Sequence, residues 1–159
     1  MNGSRTFGSA ELRELDQRAA ANPRLRANLN LHSGDDALLH RFIICMRRGS
    51  YVRPHKHLAA HKLEMATVVA GEFEWLFFDE AGQVTRRVRV AAAGPVFALE
   101  VPPGVWHGVL PLTDTGAFLE VKQGPYDAAT DKEFAPWAPA EGSPEAAEYL
   151  NNLYHTRAA

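Results

Sequence analysis

From Leu39 to Val121 the chain consists of short apolar and β-branched runs, separated by Gly, Pro and Asp at short spacings. Runs of this length, bounded by turn residues, are typical of strands. The segment DEAGQ separates two of them and predicts a hairpin. Many short strands with no helix between them predict a mainly β fold, either an antiparallel sandwich or a barrel. The predicted strands span residues 38–46, 62–69, 72–78, 84–90, 96–101, 106–110 and 117–122.

The two ends of the chain have a different pattern. An apolar stripe predicts a helix over residues 9–20, with Ser9 as its N-cap. The stretch from Pro23 to Asp36 has no clear period and is predicted to be irregular or edge structure. A second short helix is predicted over 144–154, capped by Ser143.

These patterns predict a single structural domain with three parts. Residues 1–38 form an N-terminal helix and an arm that packs on the barrel. Residues 39–125 form the barrel itself. Residues 126–159 form a proline-rich tail and the C-terminal helix.

Composition narrows the class of protein. The chain has 159 residues, which suits one domain, and a net charge of −2, which argues against a nucleic-acid or membrane partner held by bulk charge. Cys45 is the only cysteine, so an internal disulfide is excluded. The first residues lack the pattern of a secretory signal. We therefore expect a cytoplasmic protein whose partner is a small molecule.

Histidines supply the main candidate chemistry. His55 and His57 are two residues apart, so on an extended chain they point to the same face. Glu64 begins the next predicted strand, and His107 follows a Pro-Pro-Gly turn. Three imidazoles and one carboxylate suit one divalent metal ion per subunit. This donor set is compatible with Zn, Fe, Mn, Ni and Co and does not distinguish among them.

At these residues the sequence resembles the two motifs of the cupin superfamily. The motif positions are Gly49, His55, His57, Glu64 and Gly71 in the first, and Pro102, Gly104 and His107 in the second. The six-residue gap between His57 and Glu64 is longer than cupins usually have, and His61 lies where the usual spacing places the glutamate. His61 is therefore the alternative ligand. The resemblance implies a double-stranded β-helix, a jelly-roll barrel, with a metal site.

Three longer stretches, at residues 21–32, 47–57 and 122–142, resemble the WbuC family of cupin-fold metalloproteins. This resemblance covers nearly the whole chain, and the run DKEFAPWAP carries most of its specificity. It implies a bacterial protein encoded among genes for O-antigen, the surface part of lipopolysaccharide. The resemblance implies no particular reaction.

Further residues are candidates for the same site. Glu120 and Lys122 share one face of a predicted strand. They are either catalytic groups inside the barrel or an ion pair on its outer face. Arg41 and Arg47 share one face of another strand and line a substrate pocket if that face points inward. Trp106 is a third pocket candidate because it adjoins His107.

The leading hypothesis is a metal-dependent enzyme with isomerase or epimerase chemistry on a small polar or sugar-related metabolite, in which Glu120 or a metal-bound water moves a proton. The alternatives are a non-haem Fe(II) dioxygenase and a non-catalytic ligand-binding or sensor protein. We also expect a homodimer, since barrels of this kind commonly pair through sheet edges and terminal arms.

Overall fold

A computed structural model describes residues 3–158, within which the chain forms ten strands and two helices. The helices are α1 (Ser9–Ala21) and α2 (Ala146–His155). The strands are β1 (Arg26–Asn30), β2 (Leu39–Arg47), β3 (His55–Lys56), β4 (Glu64–Ala70), β5 (Glu72–Phe78), β6 (Val84–Ala91), β7 (Ala98–Val101), β8 (His107–Pro111), β9 (Thr115–Gln123) and β10 (Glu133–Phe134).

The strands form two antiparallel five-stranded sheets. The first has the order β1-β2-β9-β4-β7 and the second has the order β10-β3-β8-β5-β6. Gly71 lies between β4 and β5, where the chain passes from one sheet to the other, with φ of +69°. A Cβ at this position would lie 2.8 Å from the Thr115 carbonyl oxygen, so the crossing requires glycine. The structure confirms the mainly β fold predicted from the strand pattern, and its two sheets agree with the jelly roll that the motif resemblance implies.

Apolar side chains form three separate layers. One fills the space between the sheets, with Met46, Ala66, Val68, Phe73, Trp75, Val90, Val101 and Phe118. A second joins α1 to the outer face of the first sheet, with Leu15, Ala19, Ile43, Cys45 and Ala117. The third joins α2 and the tail to the outer face of the second sheet, and includes Leu76, Trp106, Leu110, Ala138 and Leu150. Each sheet is therefore packed on its inner face and covered over part of its outer face.

The helix boundaries differ slightly from the prediction. Gly8, not Ser9, is the N-cap of α1, and the Glu11 carboxylate accepts a hydrogen bond from the Gly8 N–H at 2.7 Å. Helix α2 begins at Ala146 because the residues before it form a turn, in which the Ala146 N–H donates to the Ser143 carbonyl. Its N-cap is Glu145.

Three strands lie outside the seven that the sequence predicts. β1 is an edge strand within the stretch that is predicted to be irregular or edge structure, and it pairs along its whole length with β2. β3 and β10 have two residues each and pair with one another. Among the described residues, no helix is long and apolar enough to cross a membrane.

Candidate metal centre

Four buried side chains converge at one end of the space between the sheets: His55, His57, Glu64 and His107. One donor atom from each lies within 4.8 Å of the others. The pairing of β3 with β8 places His55 directly opposite His107. Glu64 is the first residue of β4 in the facing sheet. The two sheets thus bring together residues that are far apart in sequence.

A hydrogen bond at the Gly104 turn joins the segment that contains His57 to the turn that precedes His107. Gly104 has φ of +78°, a left-handed conformation that favours glycine. Its N–H donates a hydrogen bond of 2.7 Å to the carbonyl oxygen of His57. The turn therefore holds the start of β8, which opens with His107, against the segment that carries His57.

Each of the three imidazoles has its Nδ1 within hydrogen-bond distance of a backbone carbonyl oxygen. Because a carbonyl oxygen only accepts, each Nδ1 carries the proton and each Nε2 has a free lone pair. The accepting carbonyls belong to Arg53 for His55 (3.0 Å), to Val105 for His107 (2.9 Å) and to Asp131 for His57. These hydrogen bonds fix the tautomer that metal-binding histidines need.

The donor atoms fit a divalent metal ion. Nε2 of His107 is buried and has no hydrogen-bond partner among the described residues, although an unsatisfied buried polar atom is costly. Oε2 of Glu64 lies 3.2 Å from Nε2 of His57 and 4.0 Å from Nε2 of His107. A cation between these atoms would satisfy all of them at once. Three imidazole nitrogens and one carboxylate oxygen suit Zn, Fe, Mn, Ni or Co.

Protonation states also favour metal binding. Burial lowers the pKa of His55 well below its usual value and lowers the pKa of His107. Burial alone would raise the pKa of Glu64, but the contact with His57 and the nearby imidazoles of His107 and His55 hold it below its usual range. The imidazoles of His55 and His107 are therefore neutral and Glu64 is ionised, which are the forms that bind a metal ion.

A buried ionic cluster lies beside the histidines. Nζ of Lys62 and Nζ of Lys122 lie 3.2 and 3.1 Å from different carboxylate oxygens of Asp131. Lys122 is also the cross-strand neighbour of Glu64. Burial alone would raise the pKa of Asp131, but the two lysines hold it below its usual value. Asp131 thus binds the tail to the barrel with its side chain and orients His57 with its backbone carbonyl.

The centre opens into a cavity of about 600 Å³, a size that suits a small molecule. Glu120 and Lys122 line this cavity, together with Lys132 and Phe134 of the tail. Burial, followed by the charge of Glu64, raises the pKa of Glu120 to about 8. A cation bound at Glu64 would offset the negative charge of Glu64 and so lower the pKa of Glu120.

Comparison with known proteins places the chain in a family. Residues 7–90, more than half of the chain, match the family described as a domain of unknown function, DUF6016. The chain belongs to the DUF6016 family. No curated protein sequence matches it.

Solved structures resemble this DUF6016 member in fold. A conserved protein with a double-stranded β-helix domain from Klebsiella pneumoniae aligns with a TM-score of 0.57 and 16% identity, over 84% of this chain and 98% of that chain. The capsular polysaccharide assembling protein CapF from Staphylococcus aureus aligns with a TM-score of 0.58 and 18% identity, over 71% of this chain and 32% of that chain. A cupin superfamily protein from Desulfitobacterium hafniense aligns with a TM-score of 0.48 and 14% identity, over 62% of this chain and 76% of that chain. At these identities the likeness to the Klebsiella and Staphylococcus proteins shows the fold, a double-stranded β-helix, and nothing further.

The remaining predicted site residues of the DUF6016 protein lie elsewhere. His61 is exposed in the loop before β4 and is outside the cluster, so Glu64 is the residue that meets the three imidazoles. Arg41 and Arg47 lie on the outer face of the first sheet, so the condition under which they would line a substrate pocket, an inward-pointing face, is not met. Arg41 donates to the Leu31 carbonyl at 3.0 Å. Arg47 forms an ion pair of 2.6 Å with Asp16 of α1.

Trp106 also differs from the prediction. Side chains alternate along a strand, so when His107 points inward its neighbour points outward. Trp106 packs in the layer between the second sheet and α2, and its Nε1 donates to Glu80 at 3.0 Å. It is a core residue and does not line the cavity.

Sequence reasoning missed the contribution of the tail. Asp131 and Lys132 lie in a polar stretch without periodicity. Asp131 orients His57 through a backbone carbonyl, and every residue type has that group. The resemblance to WbuC proteins singles out the stretch that contains both residues but assigns neither a role.

Proposed function

We propose that this DUF6016 protein is a metal-dependent enzyme that acts on a small polar or sugar-related metabolite. The proposal rests on the convergence of three buried Nε2 atoms and the Glu64 carboxylate at the end of a cavity that can hold such a molecule. A divalent cation at this position would act as a Lewis acid toward a carbonyl or hydroxyl oxygen. Isomerase or epimerase chemistry needs that activation together with a group that moves a proton.

Glu120 is the proposed proton carrier. It lines the same cavity, and its raised pKa of about 8 lets its carboxyl group hold or release a proton near neutral pH. Lys122 has the neighbouring position on the same face of β9 and is paired with Asp131. Its role in the proposal is to stabilise negative charge next to Glu120.

We further propose membership of the WbuC family and a role in surface-polysaccharide metabolism. The support is the motif resemblance of residues 21–32, 47–57 and 122–142. The fold that the chain shares with a capsular polysaccharide assembling protein agrees with this assignment. The homodimer and the cytoplasmic location remain predictions.

Metal analysis tests the proposed centre. Protein purified from medium supplemented with each candidate metal is dialysed and its metal content measured by mass spectrometry. We expect close to one equivalent per chain in the wild type and loss of most of it in His57→Ala and His107→Ala. Oxygen uptake by iron-loaded protein, without isomerisation of any sugar, would instead favour dioxygenase chemistry.

The matched control is His61→Ala, because His61 is a nearby histidine outside the cluster. We expect this variant to keep its metal. Full metal occupancy in His107→Ala, or equal loss in His61→Ala, would contradict the proposed ligand set.

A further inference from the structure

Lys132 is a cation without a counterion in the cavity. Lys62 and Lys122 are both paired with Asp131. Lys132 is the next residue along the tail and lines the cavity, but it forms no ion pair with any residue in the described range 3–158. Its ammonium lies 5.9 Å from the centre of the Phe134 ring. A partly buried ammonium without an anion is unfavourable, and its burial lowers the pKa of Lys132.

The position of Lys132 is fixed by the residues on either side of it. The carbonyl of Asp131 accepts the hydrogen bond from Nδ1 of His57. Phe134 pairs with His55 across β10 and β3. Lys132 therefore lies on a short segment that is attached at both sides to histidines of the metal centre, which sets its distance from them.

The buried charged groups around the centre have no excess of negative charge before a metal ion binds. Three lysines and three carboxyl groups surround it, and their net charge is zero when Glu120 is ionised and +1 when Glu120 holds its proton. These groups are Lys62, Lys122, Lys132, Glu64, Glu120 and Asp131. At the rim, Arg24 and Arg26 both bind Glu141, and the other acidic side chain that lines the opening, Asp35, is exposed to solvent. A divalent cation thus adds two positive charges that these protein groups do not compensate.

We propose that the cavity binds a small carboxylate-bearing metabolite, with its carboxylate on Lys132 and its hydroxyl or carbonyl oxygens toward His55 and His107. This inference rests on the metal-dependent function proposed above and specifies its substrate class as a small hydroxy acid or acidic sugar. A single ammonium suits a carboxylate, whereas phosphate groups are usually held by several donors or by an arginine fork. Lys132 is therefore a specificity-determining residue.

Calorimetry on zinc-loaded full-length protein tests this assignment. The probes are D-glucuronate, D-gluconate and lactate, with D-glucose as the neutral match to D-glucuronate. We expect at least one acid to bind and D-glucose to bind much more weakly. In Lys132→Met the affinity for that acid falls about tenfold or more, because one charge-assisted hydrogen bond is lost.

Three variants separate a specific contact from general charge or misfolding. Lys132→Arg keeps the positive charge and should retain most of the affinity. Lys132→Gln, which is polar and uncharged, should behave like Lys132→Met and serves in its place if that variant does not fold. Arg86→Met removes one positive charge from an exposed position on β6 and should bind the acid as the wild type does.

The metal content of each sample distinguishes failure of the proposed function from failure of this inference alone. Wild-type protein that takes up neither zinc nor any of the other candidate metals overturns the proposed function and this inference with it. Zinc-loaded protein that binds none of the acids more tightly than D-glucose overturns this inference alone. Binding of inorganic phosphate in preference to the acids, or acid binding unchanged in Lys132→Met and Lys132→Gln, also overturns it.

Discussion

The two ends of the space between the sheets are built from the same strands but filled in opposite ways. At one end aromatic rings pack edge to face, with Phe73 and Phe118 centred 5.1 Å apart and Trp75 and Phe118 centred 5.3 Å apart. At the other end the strands supply imidazoles, carboxylates and lysines, which include Glu64 and Lys122 as cross-strand neighbours. The same alternation of side chains along β4 and β9 serves both ends.

The contrast shows which end holds the fold and which end depends on additional groups. Apolar packing needs only shape and exclusion of water. The polar end needs a hydrogen-bond partner or counterion for every buried group. The backbone carbonyls and the tail provide most of these partners. Within residues 3–158, Nε2 of His107 still lacks a partner and Lys132 lacks a counterion, and the cation and ligand proposed above would supply them.

The largest effect is expected at the apolar end. Phe73 is completely buried, so Phe73→Ala leaves a cavity and should lower the free energy of unfolding by about 3–5 kcal/mol. Phe97→Ala is the control, because Phe97 is 59% exposed and should lose less than about 0.5 kcal/mol. Urea unfolding measures both. Equal losses would show that packing between the sheets does not hold the barrel.

The second-largest loss of stability is expected in the ionic cluster of Asp131, Lys62 and Lys122. Asp131→Asn leaves two buried lysines without their counterion, so we expect a loss of about 3 kcal/mol in the free energy of unfolding. Glu72→Gln breaks the exposed pair with Arg89 and should lose less than about 1 kcal/mol. Urea unfolding at pH 7 compares the two variants. A loss in Asp131→Asn no larger than in Glu72→Gln would show that the tail does not depend on this cluster.

Metal binding should raise the free energy of unfolding through contacts at the polar end only. Free zinc at about one hundred times its dissociation constant should raise the free energy of unfolding by about 2.7 kcal/mol over protein in EDTA. His107→Ala should lose this gain, whereas Phe73→Ala and His61→Ala should keep it although Phe73→Ala starts from a lower baseline. Thermal unfolding with and without zinc provides the measurement. A zinc effect that survives His107→Ala would place the ion elsewhere.

The sequence predicts the parts of this arrangement that depend on side-chain type and spacing. The strand pattern predicts a mainly β sandwich or barrel, and the spacing of His55 and His57 with the turn before His107 singles out residues that the structure brings together. In β2, however, both faces are apolar, because α1 covers the outer one. Alternation alone therefore does not reveal which face of β2 points inward, and it leaves the orientation of Arg41 and Arg47 open.

Other features leave no trace in residue type. β3 and β10 are too short to show a period. The hydrogen bond from His57 to the Asp131 carbonyl uses a group common to all residues. The pairing of Asp131 with two lysines depends on how the tail folds back, which is decided by tertiary packing and not by local sequence.

The smallest expected effect is a pH dependence at the polar end. The raised pKa of Glu120, about 8, means that the folded protein holds this proton more tightly than the unfolded chain does. The unfolded state binds fewer protons from Glu120 over this range, so the stability of metal-free protein falls as pH rises from 6.5 to 8. Because Glu120 is only half-buried, we expect a loss of about 1 kcal/mol in the free energy of unfolding.

Urea unfolding in EDTA at both pH values tests this, and Glu120→Gln should abolish the loss. Zinc should reduce it, because a cation at Glu64 favours ionised Glu120 in the folded state. An equal loss in Glu120→Gln would assign the titration to another group, and the polar end would then lack the proton carrier that the proposed chemistry requires.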